Sequence, residues 1–440
     1  MRAYKDSGIE WLGEIPEHWE VVKIKHIAEI ITGKTPTLDS EWGDNMFFIT
    51  PTDCDLDKKY VSSSLRKLSQ NGIKNFDSLV IPKNSILVTC IASIGKVAIN
   101  LEEVITNQQI NSVIPNADLV LPDFIFYQLL ATMPFAERYF CGYSILPILN
   151  KSEFSNIKIP LPPIEEQKAI ADFLDSKCKL IETFIEKKQK LITLLNEKKQ
   201  ALINECVTKG LDKNVNFKDS GIEHLGAIPT HWEILKLKYV ALTNIGLVYT
   251  PDDIVENSDK GYPLLRANNI QNGKIDYQDL IYIKSEQIEK KQIASIGDLL
   301  MCVRNGSENL LGKTAKIQDG YFSFGAFTAI IKSQFNDYFY WIFQTNMLRK
   351  SIASFSVSNG IGQISQEDIK NFIIPFPPLQ EQKQIAEFLD SEISKIDSII
   401  EKIKKQIELI KEYKSTLINQ AVCGRVEEVS HRAYSINMRE

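Results

Sequence analysis

The chain repeats itself, and this internal duplication constrains the fold more than any other feature of the sequence. Matching segments recur at separations of 213 to 217 residues, and the segments between them are dissimilar. Because two copies that keep their turns and apolar positions share one scaffold, the pattern predicts one fold built twice with two different sets of loops. The matching pairs are 5–10 (KDSGIE) with 218–223, 18–20 (HWE) with 231–233, 94–96 (IGK) with 311–313 (LGK), 123–127 (DFIFY) with 337–341 (DYFYW), and 160–163 (PLPP) with 375–378 (PFPP).

Composition is that of a soluble globular protein. Hydrophobic residues make up 44% and charged residues 24% of the 440 residues, which is enough for two or three domains with real cores. The N-terminus mixes acids and bases, and no apolar run is long enough to span a bilayer, so we expect a cytoplasmic protein. The formal charge of −5 means that any contact with nucleic acid needs local basic patches.

The cysteine and histidine patterns argue against a metal site. The seven cysteines are scattered without a CxxC pair, and the five histidines include no HExxH. Reduced, mostly buried thiols are therefore the expected state. No metal-ligand set is predicted.

Each copy opens with a segment rich in glycine and proline that contains the His-Trp pair, which we expect to pack at a domain edge. Runs rich in Ile, Val and Thr then predict strands at 85–91 and 96–99, with counterparts at 298–303 and 313–317. An aromatic helix is predicted over roughly 122–140 and 336–355. The proline-rich strip 159–163 can continue neither a helix nor a central strand, so it marks a boundary.

A long helix with a heptad pattern follows this strip in each copy. A helix of ~45 residues extends about 68 Å, which is too far for one compact domain to bury its apolar seam. We therefore predict that the two helices pack antiparallel on each other and relate the copies by a pseudo-two-fold axis. Lys188, Lys199 and Lys414 interrupt the seam. The predicted seam residues are Ile170, Leu174, Ile181, Ile185, Ile192 and Leu195 in the first helix and Ile385, Leu389, Ile393, Ile396, Ile400, Ile403, Ile407 and Ile410 in the second.

Apolar positions outside the seam, namely Leu180, Phe184, Ile399 and Leu409, are left for partner subunits. The roughly balanced acids and bases of the helices argue against a membrane as that partner. The predicted architecture is α+β. Two duplicated α/β domains at 1–157 and 213–372 are separated by helical spacers at 158–212 and 373–426, and a tail follows at 427–440.

These motifs resemble a known family. Both variable blocks end in a proline-rich strip that runs into a heptad helix, PLPPIEEQKAIADFLD in one copy and PFPPLQEQKQIAEFLD in the other, and the opening DSGIEWLGEIPEHWE also recurs. This combination, repeated twice over nearly the whole chain, is similar to the specificity (S) subunit of type I restriction–modification systems.

The resemblance implies that two target recognition domains each read one half of a split site in double-stranded DNA. It further implies that the helices set the distance between the half-sites and dock two modification subunits, which methylate adenine, with restriction subunits added in the full complex. No cofactor is then expected in this chain; S-adenosylmethionine and ATP belong to the partner subunits.

Base reading requires donors and acceptors on supported loops, with Arg suited to guanine and Asn or Gln to adenine. Such residues in loops that differ between the copies are the predicted DNA contacts. In the first domain they are Lys34, Thr35, Thr50, Thr52, Ser93, Lys96, Asn107, Gln108 and Gln109. In the second domain they are Arg266, Asn268, Asn269, Arg304, Asn305, Ser307 and Lys313.

The sequence predicts no catalytic residue. Neither Gly-Lys-Thr triplet has the first glycine that a phosphate-binding loop needs five residues upstream. The Pro-Pro pairs follow Leu161 and Phe376, so neither forms the Asn/Asp-Pro-Pro motif of an adenine methyltransferase. The alternative to a DNA-specificity subunit is a non-catalytic helical scaffold or adaptor that binds proteins only.

Overall fold

In the computed structural model the chain forms two packing units. Unit 1 combines residues 1–188 with 405–440, and unit 2 comprises residues 189–404. The structure describes residues 3–55, 58–140, 147–223, 225–256, 261–305, 310–353 and 362–426. Each unit therefore holds one copy of the repeated domain together with one part of each long helix. The tail predicted at 427–440 lies outside the described residues.

The first copy contains short strands arranged in two sheets and two ribbons. They are β1 (Tyr4–Asp6), β2 (Glu14–Pro16), β3 (Glu20–Lys23), β4 (Ala28–Thr32), β5 (Trp42–Gly43), β6 (Met46–Ile49), β7 (Tyr60–Val61), β8 (Arg66–Leu68), β9 (Ile86–Thr89), β10 (Val97–Asn100), β11 (Val104–Thr106), β12 (Ile110–Pro115) and β13 (Lys158–Leu161). One sheet has the order β4-β12-β9-β10-β7 and the other β11-β6-β8-β5, while β1 pairs with β2 and β3 with β13. The α-helices that follow or interrupt them are α1 (Gln70–Asn75), α2 (Pro122–Phe140), α3 (Lys151–Ser155) and α4 (Ile164–Lys209).

The second copy repeats this plan. Its strands are β14 (Phe217–Asp219), β15 (Ala227–Pro229), β16 (Glu233–Lys236), β17 (Leu242–Ile245), β18 (Ile254–Val255), β19 (Tyr262–Leu265), β20 (Ile270–Gln271), β21 (Lys274–Ile275), β22 (Ile281–Ile283), β23 (Leu299–Cys302), β24 (Arg304–Asn305), β25 (Thr314–Lys316), β26 (Ser323–Phe324), β27 (Thr328–Lys332), β28 (Gly362–Gln363) and β29 (Ile373–Phe376). The sheets have the orders β17-β27-β23-β25-β21-β20 and β18-β22-β19-β26. The helices are α5 (Asn336–Phe343), α6 (Met347–Ala353), α7 (Gln366–Asn371) and α8 (Leu379–Val422).

The predicted α+β class, with a duplicated domain and two long helices, is confirmed. The predicted strands contain β9 in the first copy and β23 and β25 in the second, β10 is shifted by one residue from the predicted 96–99, and α2 has the predicted bounds. The proline-rich strip forms β13, which pairs with β3 in a two-stranded ribbon. Within the described ranges, no helix is both long and apolar enough to cross a membrane.

The prediction of one aromatic helix over 336–355 was wrong. The helix ends at Phe343, and a second helix begins at Met347. Thr345 causes the break, because its hydroxyl donates to the Ile342 carbonyl at 2.6 Å and accepts from the Met347 amide at 3.2 Å. A threonine side chain that replaces backbone partners in this way competes with the continuous helix.

The His-Trp pair of each copy joins the globular part to the start of a long helix. Trp19 and Trp232 are fully buried, so the predicted packing is confirmed. The Glu166 carboxylate accepts from the Trp19 indole at 3.1 Å and lies 2.6 Å from His18 Nε2. In unit 2, the Glu381 carboxylate accepts from the Trp232 indole at 3.0 Å and lies 2.9 Å from His231 Nε2. No pattern in the sequence predicts these contacts.

The predicted seam residues lie in the cores of their own units. Ile170, Leu174, Ile181, Ile185 and Ile410 belong to the core of unit 1. Ile192, Leu195, Ile385, Leu389, Ile393, Ile396 and Ile400 belong to the core of unit 2. Ile403 is also buried, and Ile407 is half-buried.

Carboxylates on the other helix neutralise two of the lysines that interrupt the seam. Lys199 contacts Asp397 at 2.7 Å in unit 2, and Lys414 contacts Glu182 at 2.7 Å in unit 1. The two lysines are separated by 215 residues, and so are the two acids. The two ion pairs are therefore equivalent in the two copies of the repeat. The third, Lys188, lies 5.2 Å from the ring centre of Phe184 on its own helix.

The helix segments run antiparallel within each unit. In unit 2 the end of α4 at Gly210 is close to Glu381 at the start of α8, whereas Lys199, earlier in α4, meets Asp397, later in α8. In unit 1 Trp19 bonds Glu166 near the start of α4 and lies against Gly424 after the end of α8.

We expect the ion pairs to set the register of the helix segments. Reversing one charge, as in Lys199→Glu, should destabilise unit 2 by about 1–2 kcal/mol, because it places two carboxylates together at a partly buried seam position. The double variant Lys199→Glu/Asp397→Lys should recover most of this loss in chemical denaturation. Lys198→Glu, at the neighbouring exposed position, is the matched control and should change stability little. Additive effects of the two reversals would show that the pair does not hold the register.

Candidate nucleic-acid interface

In unit 1, six strands begin or end at one edge of the domain. The ends of β4 and β9 pair with the start of β12, where Asn111 lies opposite Thr32 and Ile110 lies opposite Thr89. β10 begins beside the end of β9, and β6 and β11 end together because they run parallel. We call the surface formed by the connecting loops edge 1 (residues 33–36, 50–53, 90–96 and 107–109).

Hydrogen bonds between these loops hold edge 1 together. The Lys34 amide donates to the Thr106 carbonyl at 2.9 Å, and the Cys90 amide donates to the Gln109 carbonyl at 2.8 Å. Lys96 Nζ donates to the Pro51 carbonyl at 2.7 Å. The structure thus brings together, at one edge, the loops that carry all nine predicted DNA contacts of the first domain.

The nine side chains of edge 1 are not equally available. Lys34, Thr52, Ser93 and Gln108 are exposed, and Thr35 Oγ1 contacts Gln108 Oε1 at 2.5 Å. Thr50 instead caps a turn by bonding Asp53 through both its amide and its hydroxyl. Asn107 is buried and bonds Gln109.

Unit 2 has the corresponding edge. The start of β27 pairs with the ends of β17 and β23, and β19 and β26 end together in parallel. The Gly325 amide donates to the Leu265 carbonyl at 2.9 Å, and the Leu247 amide to the Phe324 carbonyl at 2.7 Å. We call this surface edge 2 (residues 246–250, 266–269, 303–305, 311–313 and 325–327).

Six of the seven predicted contacts of the second domain lie on edge 2, and Ser307 lies outside the described residues. Arg304 and Asn268 are exposed, while Arg266, Asn305 and Lys313 are half-buried. The structure contradicts the prediction that Asn269 contacts DNA. It is buried, its amide nitrogen donates to the Asp276 and Gln278 carbonyls, and its oxygen accepts from the Arg266 amide. Its hydrogen-bonding groups are therefore used to hold the turn.

One glycine on each edge permits a close backbone approach. A Cβ at Gly33 would lie 2.1 Å from the Thr106 carbonyl oxygen, and a Cβ at Gly246 would lie 2.2 Å from the Gly325 carbonyl oxygen. Real Cβ atoms do not approach backbone oxygens this closely, so each position needs glycine. The two glycines occur in related segments of the sequence, 31–36 (ITGKTP) and 245–251 (IGLVYTP), which share a glycine and a Thr-Pro pair.

Edge 2 also presents apolar side chains, which were not among the predicted DNA contacts. Val248 is 82% exposed and Phe327 is 56% exposed, beside a cavity of about 550 Å³. The Arg304 guanidinium lies 5.5 Å from the centre of the Phe327 ring. The prediction covered polar residues alone; the sequence signal for these two is that they are apolar residues in loops that differ between the copies.

Carboxylates at the edges stabilise turns. Asp253 accepts from the Thr250 amide and hydroxyl, and these hydrogen bonds lower the pKa of its carboxyl. On edge 1, Asp53 bonds Thr50 and the Leu65 amide. Among the residues that the structure describes, no group of three or more His, Cys, Asp or Glu could hold a metal ion.

Comparison with known proteins agrees with this duplicated arrangement. The family described as type I restriction modification DNA specificity domain matches the chain twice, at residues 16–194 and 229–409. The MjaVIII type I specificity subunit of Methanocaldococcus jannaschii is 27% identical over 97% of both chains. The EcoKI specificity subunit of Escherichia coli K12 is 30% identical over 46% of this chain and 45% of its own length.

Solved structures share the fold. A chain from a structure described as the basis of complex assembly and conformational transition of the type I R-M system has a TM-score of 0.75 at 15% identity, covering 94% of this chain and 99% of that chain. The HsdS subunit from Thermoanaerobacter tengcongensis has a TM-score of 0.53 at 17% identity, with 94% and 98% covered.

Proposed function

Since the chain belongs to the family of type I restriction-modification DNA specificity subunits, we propose that edge 1 and edge 2 each read one half of a bipartite site in double-stranded DNA. The helices then set the distance between the half-sites, and the subunit directs adenine methylation by partner subunits.

The observation that supports this proposal most directly is the pairing of one scaffold with two different edges. Both edges are formed by equivalent strand ends, and both use one glycine to bring loops together. Their outward side chains nevertheless differ, with exposed lysine and glutamine on edge 1 and exposed arginine and phenylalanine on edge 2. Equivalent surfaces with different chemistry suit two tasks of one kind on two different sequences.

The helices provide surfaces for the modification subunits. Exposed apolar residues occur one position before seam residues and form a second stripe on each helix. In unit 1 they are Leu180, Phe184, Leu409 and Tyr413, and in unit 2 they are Leu191, Leu194, Phe388 and Ile399. In each unit the two helix segments are antiparallel, and on both of them the stripe precedes the seam by one residue. The two stripes therefore lie on the same face of the helix pair. Such exposed apolar faces are typical of protein interaction sites.

The chemistry of the complex is proposed to reside in other subunits. This chain supplies recognition, two modification subunits supply methyl transfer from S-adenosylmethionine, and restriction subunits supply the ATP-dependent activity. The turn-capping roles of Asp53 and Asp253 are consistent with a non-catalytic chain.

The test is to assemble the chain with the modification subunits of its system and map methylated adenines in a pool of random duplexes. Modification at a single split motif is the expected result. The alternative is a scaffold that binds proteins only, and the exposed apolar faces of the helices favour it. This alternative predicts a stable protein complex without sequence-specific methylation. That outcome would overturn the proposed function.

Arg304 offers a test on a single residue. If it contacts a base, Arg304→Ala should weaken binding of the assembled complex to its target by about 1–3 kcal/mol and relax specificity at one position. If it contacts phosphate, binding to all sequences should weaken alike. Lys236→Ala, which removes an exposed cation from β16, is the control for net charge. Unchanged affinity and specificity on anisotropy titration would remove Arg304 from the interface.

A further inference from the structure

We propose that unit 2 recognises its half-site through the C5-methyl group of a thymine that contacts Val248 and Phe327, whereas unit 1 reads its half-site through hydrogen bonds. This inference rests on the proposed function and deepens it, because it assigns a different chemistry of base reading to each edge.

Strand register shows which residues of the two edges correspond. Thr89 lies opposite Ile110 in the first copy, as Cys302 lies opposite Thr328 in the second. The residues just before β12 and β27 therefore match, so that Gln109 corresponds to Phe327. By the same count, Gln108 corresponds to Ala326 and Asn107 corresponds to Gly325.

The duplicated glycines extend this correspondence to a second loop. Gly33 lies against the Thr106 carbonyl and Gly246 against the Phe324 carbonyl, and these two residues end the corresponding strands β11 and β26. Counting forward from each glycine, Lys34 corresponds to Leu247 and Thr35 to Val248.

At corresponding positions, edge 1 is polar and edge 2 is apolar. Edge 1 presents the exposed Gln108, whose side chain contacts Thr35. On edge 2, the cavity of about 550 Å³ is bordered by apolar groups of these two loops and of the loop after β19, chiefly Leu247, Val248, Tyr249, Ala267, Ala326 and Phe327. Val248 and Phe327 also project outward and are largely exposed.

The chemistry of the major groove identifies the occupant. Base edges there present hydrogen-bond donors and acceptors, and the thymine methyl is the apolar group among them. An exposed apolar patch cannot form hydrogen bonds with the polar groups of a base, but it gains free energy by removing a methyl group from water. On a surface that faces DNA, this patch therefore selects thymine.

Charge at the rim of the patch suits DNA as the occupant. Arg304 lies over the ring of Phe327, and Arg266 borders the cavity. A guanidinium beside the methyl contact can bind a phosphate or a neighbouring guanine. A purely apolar protein partner would gain nothing from these two cations.

The test uses the assembled methyltransferase complex and the motif mapped for it. Exchanging residues 213–372 for those of a relative identifies the half-site that unit 2 reads. Each thymine of both half-sites, on either strand, is then replaced in turn by uracil, which lacks only the methyl group. We expect at least one uracil in the half-site of unit 2 to weaken binding about four-fold, the value of one buried methyl group. Uracil in the half-site of unit 1 should leave binding unchanged.

A matched variant transfers the chemistry of edge 1 to edge 2. Val248→Thr/Phe327→Gln introduces the residues found at the corresponding positions of the first copy. Because both side chains are largely exposed, the variant should retain its thermal stability while the ratio of thymine to uracil affinity falls to one. Retention of the original ratio in this variant would overturn the inference.

Two further outcomes would also overturn it. One is a half-site of unit 2 that contains no thymine or is insensitive to uracil, although methylation remains sequence-specific. The other is DNA bending that disappears in Phe327→Ala without any uracil effect, which would make Phe327 a wedge between base pairs. Loss of all sequence-specific methylation by the unmodified chain would instead contradict the proposed function itself.

Discussion

A valine in place of Gly33 is expected to abolish recognition by unit 1. The Cβ of the new side chain would lie 2.1 Å from the Thr106 carbonyl oxygen, so the loops after β4 and β11 must separate. Both loops carry predicted DNA contacts. Losing two bidentate base contacts, at about 1–3 kcal/mol each, would reduce specific binding roughly 100-fold. Anisotropy titration of the assembled complex with its target and with a scrambled duplex would measure this loss.

Two variants control for this experiment. Gly8→Val places a side chain where no atom lies within 4 Å, although the backbone there has a φ of +66°. It should cost about 1–2 kcal/mol of stability from the left-handed conformation while leaving DNA affinity unchanged. Gly246→Val should produce the corresponding loss at the other half-site. Normal target affinity of Gly33→Val would show that edge 1 does not contact DNA.

Replacing Trp19 by alanine should cost unit 1 about 3–5 kcal/mol, the range found for truncating a large buried aromatic side chain. Trp19 is fully buried and donates its indole N–H to Glu166 at 3.1 Å, so the change creates a cavity and removes a hydrogen bond at the start of α4. Trp232→Ala should have the same effect in unit 2. Denaturant titration, with hydrogen exchange to locate the destabilised unit, would measure both effects.

Tyr239→Ala is the matched control, because Tyr239 is an aromatic residue that is 70% exposed. Its removal should change stability by no more than about 0.5 kcal/mol. Trp19→Phe separates the two contributions, since it keeps most of the packing but loses the hydrogen bond. A cost below about 1 kcal/mol for Trp19→Ala would contradict the central role of the pair in joining the domain to the helix.

Local patterns predicted the elements better than their contacts. Alternating and heptad patterns of apolar residues are local in sequence, and they specify strands and helices respectively. Helix α2 and both long helices lie where those patterns predicted them. The aromatic spacing of 336–355 also matched a helix, but the hydroxyl of Thr345 made the bonds that end α5 and begin α6. A single polar side chain in competition with the backbone leaves no periodic signal.

The candidate interface shows the same division. Polar residues in dissimilar loops predicted most of the outward side chains, but Asn269 proved to be used within its turn. Val248 and Phe327 were missed because an apolar residue in a loop usually indicates packing, and only the structure showed that these two point outward.

By itself, the sequence determined that one domain is built twice, that long helices with an apolar seam separate the copies, and to which family the chain belongs. These properties follow from repetition and periodicity, which can be read along the chain. The tertiary structure alone decided that loops from six strands meet on one edge, that Lys199 and Lys414 have acidic partners across the seam, and that edge 2 is apolar where edge 1 is polar. Those contacts join residues distant in sequence, and neither partner's local pattern specifies the other.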